Sequence, residues 1–306
     1  MIHTNSDMLI YIAIGDAYCL ATEYIKSPRD DELRSKALKF ERYLKHPTHP
    51  NRLGTYSDDT HMSIGNAEVL IEQDSFKPIH FADKWVEVFQ RDPRDAYSRG
   101  FQKFLEQTKT GKDFLINIDP SSNKNGAAMR SVPLGVLKTP EEVMASANMQ
   151  SRLTHDTPGG RFGSIAVALM SHFFLYAGVR ANYSNLRGFL LEYMQQPTRE
   201  ILELGIIDNV FYKWDGRVCG PEVGINTALA VFELLTHCKT LKEVLRQTIE
   251  WGGDTDSVAA IALGIASSRL EDDLPEFMHT QLEAGSKYGT EFLKKTGTLL
   301  VEKYAN

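Results

Sequence analysis

The chain has 306 residues, 42% of them hydrophobic and 24% charged, an ordinary globular balance with ample material for a buried core. A formal charge of −6 argues against a surface built to coat nucleic acid. Cys19, Cys219 and Cys238 stand far apart with no CxxC, the pattern of thiols in a reducing compartment rather than a disulfide framework.

Residues 1–15, MIHTNSDMLIYIAIG, lack a basic start followed by a long apolar run, so no secretory signal is read there. No unbroken apolar stretch is long enough to span a bilayer. The expectation is a soluble, cytoplasmic protein. Residues 26–52, KSPRDDELRSKALKFERYLKHPTHPNR, carry many Lys and Arg and two His-Pro steps. Proline disfavours helix continuation, so the end of this segment reads as a loop. It is either a solvated surface insertion or a basic flank for a phosphorylated ligand.

GTYSDDTHMSIGNAEVLIEQ (54–73) follows, with Ser57 suited to an N-cap, Asp58 and Asp59 to the first turn, and an amphipathic helix after them. In HFADKWVEVFQ the residues Phe81, Trp85, Val88 and Phe89 fall on one helical stripe. SSNKNGAAMRS (121–131) offers Gly126 for close backbone approach and then a helix from about Ala127, whose free N–H groups suit an anion. Taken alone, its Asn-Gly step is a plain turn. GSIAVALMSHFFLYAGV (163–179) is apolar nearly all round, as a central helix is. GINTALAVFELLTHC, LKEVLRQTIEW and DSVAAIALGIASSRL read as three more helices with short links, and residues 274–305 as a further two. Strand patterns bounded by hairpin turns are hard to find. The reading is a single all-α domain over residues 1–306.

One stretch, WGGDTDSVAAIALGIA (251–266), repeats the arrangement at 57–59: Gly252-Gly253 breaks one helical run, and Asp254 and Asp256 stand before another. Capping explains either acidic pair alone. Consecutive carboxylates diverge by about 100° around a helix, yet at its start both can reach a point beyond the end of the axis. If the two helix starts meet, Asp58, Asp59, Asp254 and Asp256, with the hydroxyls of Ser57 and Ser257, repel strongly unless neutralised. One or two hard divalent cations solve that problem, and magnesium or manganese favours such oxygen shells. Carboxylates and hydroxyls rather than His or Cys at these starts argue against zinc.

GTYSDDTHMSI, KNGAAMRSVPLG and WGGDTDSVAAIALGIA, with IGDAYCLATEY near the start, resemble in the right order the motifs of the ADP-ribosylglycohydrolase family. The likeness runs from about residue 9 to 270. It implies an all-α fold with two adjacent Mg2+ (or Mn2+) ions in a central cleft, and cleavage of the bond between ADP-ribose and an acceptor. Ser57, Asp58, Asp59, Asp254, Asp256 and Ser257 fall on the family's metal ligands, both serines replacing threonine. Serine is less restrained in χ1, which would weaken the metal site. Glu23 falls on the family's mobile glutamate near the scissile bond, in an acid/base or leaving-group role, with Asp256 bridging the metals and Asp58 polarising water. Asn125 and Gly126 fall in the family's substrate loop, and His155 on its Thr-His step, ready to donate to phosphate or ribose. Arg130 is either a phosphate ligand or a buried structural arginine. Tyr212 and Trp214 suit adenine stacking or core packing. The chain departs from the family at Asp95-Ala96-Tyr97-Ser98, usually Arg-Gly-Tyr-Gly, and at Ser267-Ser268, usually Gly-Ala, which would loosen a close helix contact.

The partners implied are ADP-ribose and an ADP-ribosylated acceptor, protein first and nucleic acid second. Two rivals stand beside this reading: a module that captures ADP-ribose without cleaving it, and a dinuclear-metal hydrolase of another nucleotide or phosphate ester. Retention of four carboxylates and Glu23 argues against the first.

Overall fold

The computed structural model describes residues 5–25, 28–50, 52–94, 97–194, 216, 218 and 223–304. Among them the regular structure is helical throughout, and pairing of extended backbone is limited to two isolated bridges, Ser121 with His155 and Thr240 with Glu271. The all-α expectation holds.

Two helices form the axis of the molecule. Met8–Cys19 is buried along its length except at Tyr11, and Thr255–Ala266 is buried at every residue. Both lack a polar stripe, so each is surrounded by other helices instead of lying on a solvated surface. They pack directly on each other because Gly15 has no side chain: a Cβ there would run into the carbonyl of Ala259. Asp58–Glu72 and Thr290–Tyr304 pack beside Met8–Cys19, and Pro158–Tyr176 closes the core with Val223–His237.

Local chemistry sets several helix starts. Thr139 and Thr110 form capping boxes with Glu142 and Asp113. Thr157 caps Pro158–Tyr176 by accepting the N–H of Gly160 at 3.2 Å. That helix begins five residues before the Gly163 start read from hydropathy, because Pro158 occupies the first helical position, where its missing N–H costs nothing. Phe81, Trp85, Val88 and Phe89 all face inward from Pro78–Arg91, as the stripe predicts. The basic segment divides into a helix, Pro28–Ala37, and a non-helical stretch carrying both His-Pro steps. Ser267 ties its helix end to the N-terminal segment: Asn5 donates to its hydroxyl at 2.7 Å, and that hydroxyl donates to the Gly264 carbonyl at 3.1 Å. Tyr212, Trp214 and Cys219 lie outside the described residues, as do Asp95 and Ala96. No described helix is long and apolar enough to cross a membrane.

Candidate functional site

The two acidic helix starts meet. Asp59 and Asp256 offer carboxylate oxygens that lie, with one from Asp16, all within 4.8 Å of one another. A second group of three, Glu23, Asp254 and Asp256, satisfies the same limit, so Asp256 belongs to both. Asp58, Asp254, Asp256, Ser257 and Glu23 line a cleft of about 800 Å³, in which Asn125, Gly126 and His155 also stand. Asp58 is half-buried and Asp59 is 2% exposed; both line the cleft, and Asp59 also reaches Asp16 and Asp256. Consecutive carboxylates at this helix start thus reach a common space despite their angular divergence. Ser57 is buried and does not line the cleft; its hydroxyl donates to Asp59 Oδ2 at 3.3 Å.

Ser57 occupies the N-cap position of Asp58–Glu72, but its side chain does not cap the helix. The cap comes from Asp16, which went unrecognised in the sequence. Its carboxylate accepts the N–H of Ser57 at 2.9 Å, and the N–H and hydroxyl of Thr60 at 3.0 and 2.6 Å. On the other side of Ser57, the buried Glu283 accepts the Tyr56 N–H at 2.9 Å and is itself paired with Arg94 at 2.6 Å. Two distant acids thus fix the backbone that presents Asp58 and Asp59. The available signal for Asp16 was an acid inside a helix with no other charge.

The second acidic start is held differently. Gly252 and Gly253 have φ of 70° and 80°, and a Cβ on Gly253 would strike the Val218 carbonyl. Asp254 follows as a non-helical N-cap without a side-chain cap bond, leaving its carboxylate for other partners. Tyr24, itself left-handed at φ 44°, donates its N–H to the Gly253 carbonyl at 2.8 Å and its hydroxyl to Asp254 Oδ2 at 3.0 Å.

Burial, reinforced by mutual repulsion, raises the pKa of all four sequence-predicted aspartates. Asp16 adds to the effect at Asp58, and Glu23 at Asp254 and Asp256; the Ser257 hydroxyl offsets a part of it at Asp59 and Asp254. Asp59 Oδ1 and Asp256 Oδ1 are buried with no hydrogen-bond partner. Buried carboxylate oxygens without a donor are costly, and several together more so. An all-oxygen donor set with orphaned anionic atoms fits a hard divalent cation.

The substrate-loop candidates line the same cleft. Asn125 precedes a single helical turn, Gly126–Met129, and donates to Thr227 Oγ1 at 3.1 Å. Gly126 lies against the His155 ring, whose Cε1 would stand 2.8 Å from a Cβ there. Arg130 is fully buried under structural duties: it donates to Gln150 Oε1 and to Thr154 Oγ1, each at 2.6 Å, and lies over Trp85. Thr154 Oγ1, accepting from Arg130, has its own proton for His155 Nδ1 at 2.7 Å. The imidazole proton of His155 is then on Nε2. Burial, with Arg130 and Lys124 adding, lowers its pKa to about 3, so the ring is a neutral donor. Sequence reasoning did not foresee this relay because Arg130 and Thr154 sit in separate motifs.

A helical scaffold with two acidic helix starts converging beneath a ligand-sized cleft defines the class of protein. The ADP-ribosylglycohydrolase family model matches residues 7–305, and the chain belongs to that family. Among its relatives, ADP-ribosylhydrolase ARH3 of Homo sapiens is 24% identical over 264 residues, 72% of each chain. ADP-ribosyl-dinitrogen reductase glycohydrolase of Rhodospirillum rubrum is 22% identical over 237 residues, covering 75% of this chain and 74% of its own. A solved structure titled ADP-ribosylglycohydrolase-related protein complex superposes with a TM-score of 0.71 at 18% identity, over 97% of this chain and 98% of that one, a likeness of fold.

Proposed function

We propose that this protein hydrolyses the N- or O-glycosidic bond between ADP-ribose and an acceptor in a metal-dependent reaction, reversing mono-ADP-ribosylation. The observation that carries this is the meeting of Asp59 and Asp256, with orphaned oxygens, under a cleft of about 800 Å³. That volume lies in the usual range for small-molecule and cofactor sites. Family membership and the ADP-ribosyl substrates in the relatives' names supply the ligand.

Asp58, Asp59, Asp254 and Asp256, with the hydroxyls of Ser57 and Ser257, would hold two Mg2+ or Mn2+. Such cations neutralise the cluster and supply Lewis-acid polarisation of ribose and water oxygens. The chain's own groups do the rest. His155 presents a neutral N–H, and Asn125 and Gly126 leave the backbone approachable, for pyrophosphate or ribose. Asp58, at the cleft floor, accepts a proton from the attacking water, and Glu23 serves the leaving group as acid/base. The carboxylates also stabilise the oxocarbenium-like centre as the bond from ribose C1 to the acceptor breaks. Water supplies a hydroxyl to that carbon and a proton to the acceptor. Three cysteines far apart in sequence, with no CxxC, favour a reducing, cytoplasmic setting.

The test is release of ADP-ribose from mono-ADP-ribosylated protein with magnesium and with EDTA. Magnesium-dependent release supports the proposal. Tight ADP-ribose binding without release selects a capture module, and phosphate release without ADP-ribose selects a different hydrolase.

A further inference from the structure

Glu23 ends a short 3-10 turn, Leu20–Thr22, and is extended at φ −61°, ψ 125°, so no helix fixes its side chain. Its carboxylate approaches those of Asp254 and Asp256 to within 4.8 Å. Repulsion from that floor would drive an unsupported glutamate outward.

The support comes from the segment with the two His-Pro steps. His49 Nε2 lies 2.9 Å from Glu23 Oε2, both side chains half-buried at the cleft wall. His46 Nε2 lies 3.0 Å from the Glu23 main-chain carbonyl. The tautomer of His46 follows from its other nitrogen: Nδ1 accepts the N–H groups of Thr48 at 3.1 Å and His49 at 3.0 Å. Nε2 therefore carries the proton and donates to Glu23. The same two bonds fold residues 46–49 into a tight turn whose imidazoles meet edge to face, with centroids 4.7 Å apart. Pro47 and Pro50 stiffen that turn by fixing φ. One ring grips the backbone of Glu23 and the other its carboxylate, while Tyr24 is tied to Gly253 and Asp254 on the far side.

We propose that His46 and His49 are positioning residues for hydrolysis, a strap that holds the Glu23 carboxylate toward the reacting bond against the repulsion of Asp254 and Asp256. His49 engages one oxygen and leaves the other for proton transfer. The inference rests on Glu23 having the acid/base role proposed above. It makes this histidine turn, rather than Glu23 alone, responsible for the catalytic geometry.

The test compares His49→Ala, His49→Gln and Glu23→Ala in the full-length protein. With a mono-ADP-ribosylated substrate, His49→Ala should lower kcat about ten- to a hundred-fold, the scale that a misplaced catalytic group costs, with KM moving less than about two-fold. His49→Gln, which keeps a neutral donor, should recover most of the loss. A KM effect without a kcat effect would make His49 a substrate contact and overturn the proposal; equal losses in both His49 variants would overturn it as well. Amide exchange over residues 45–50 needs no turnover and judges the strap even if the wild type releases no ADP-ribose, a result that would defeat the function reading by itself. Glu23→Ala should speed exchange across that segment; unchanged exchange would overturn the strap.

Discussion

The carboxylate of Asp16 takes both the main-chain N–H and the hydroxyl of Thr60, at 3.0 and 2.6 Å, and so caps a helix 44 residues further along the chain. The acid that completes the cluster is also the one that builds half of it. Asp16→Ala would leave the N–H groups of Ser57 and Thr60 buried without an acceptor. It should cost about 2–3 kcal/mol in urea unfolding. Asp16→Asn keeps one acceptor oxygen and should cost about half as much. Equal losses in the two variants would contradict the capping role.

Without cations, the acidic cluster opposes folding. A carboxylate whose folded pKa is raised binds more protons in the folded state, so its contribution is favourable below the unfolded value and lost as pH rises through the folded one. Asp256 is such a group. In EDTA at neutral pH, Asp256→Asn should therefore raise Tm by a few degrees, at about 1.5 °C per kcal/mol for a chain of this size. The same variant should lose turnover and most of the magnesium-induced rise in Tm that wild type shows. A variant that keeps the magnesium response would remove Asp256 from the site. Asp58→Ala should also abolish turnover and reduce the magnesium response.

Gly126 is required by a neighbour rather than by its own backbone. Gly126→Ala would bring a methyl within 2.8 Å of His155 Cε1 and displace the ring. KM for an ADP-ribosylated substrate should rise about ten-fold, with about 1–3 kcal/mol of overpacking cost. In a His155→Ala background the overpacking should largely vanish, since the clashing atoms are gone. Additive effects in the double variant would contradict the contact.

His155 also sets a pH dependence. Its folded pKa is lowered to about 3 from an ordinary 6.5, so between these values only the unfolded chain takes up the proton. Its contribution to stability is intact above pH 6.5 and falls on acidification, by up to about 1.4 kcal/mol per pH unit. Urea titrations from pH 7.5 to 5 with magnesium should show wild type losing stability more steeply than His155→Asn. Parallel curves would contradict a neutral, buried His155.

Much of this site was legible because helix starts are written locally. Ser57-Asp58-Asp59 and Gly252-Gly253-Asp254 carry cap, first-turn and breaker signals within a few residues, and the family likeness put them in order. Convergence of the two is tertiary, and only structure supplies it. Asp16 escaped for the same reason, because a lone acid in an apolar helix has no periodic signature and its partners lie 41 and 44 positions away. Ser57 does stand at the N-cap, but residue preference there does not reveal that the capping bonds run to an acid on another helix. The central helix was read from its apolar run at Gly163, so its start at Pro158, set by the Thr157 cap, was missed. His46 and His49 looked only like loop residues beside proline, because their partner, Glu23, lies in another motif.

The convergence of the two acidic helix starts as a cation site is tested most directly by manganese anomalous scattering from crystals soaked in MnCl2. Anomalous peaks bounded by the carboxylates of Asp58, Asp59, Asp254 and Asp256 are the predicted result. A map with manganese bound elsewhere on the chain and nothing between those carboxylates would contradict it.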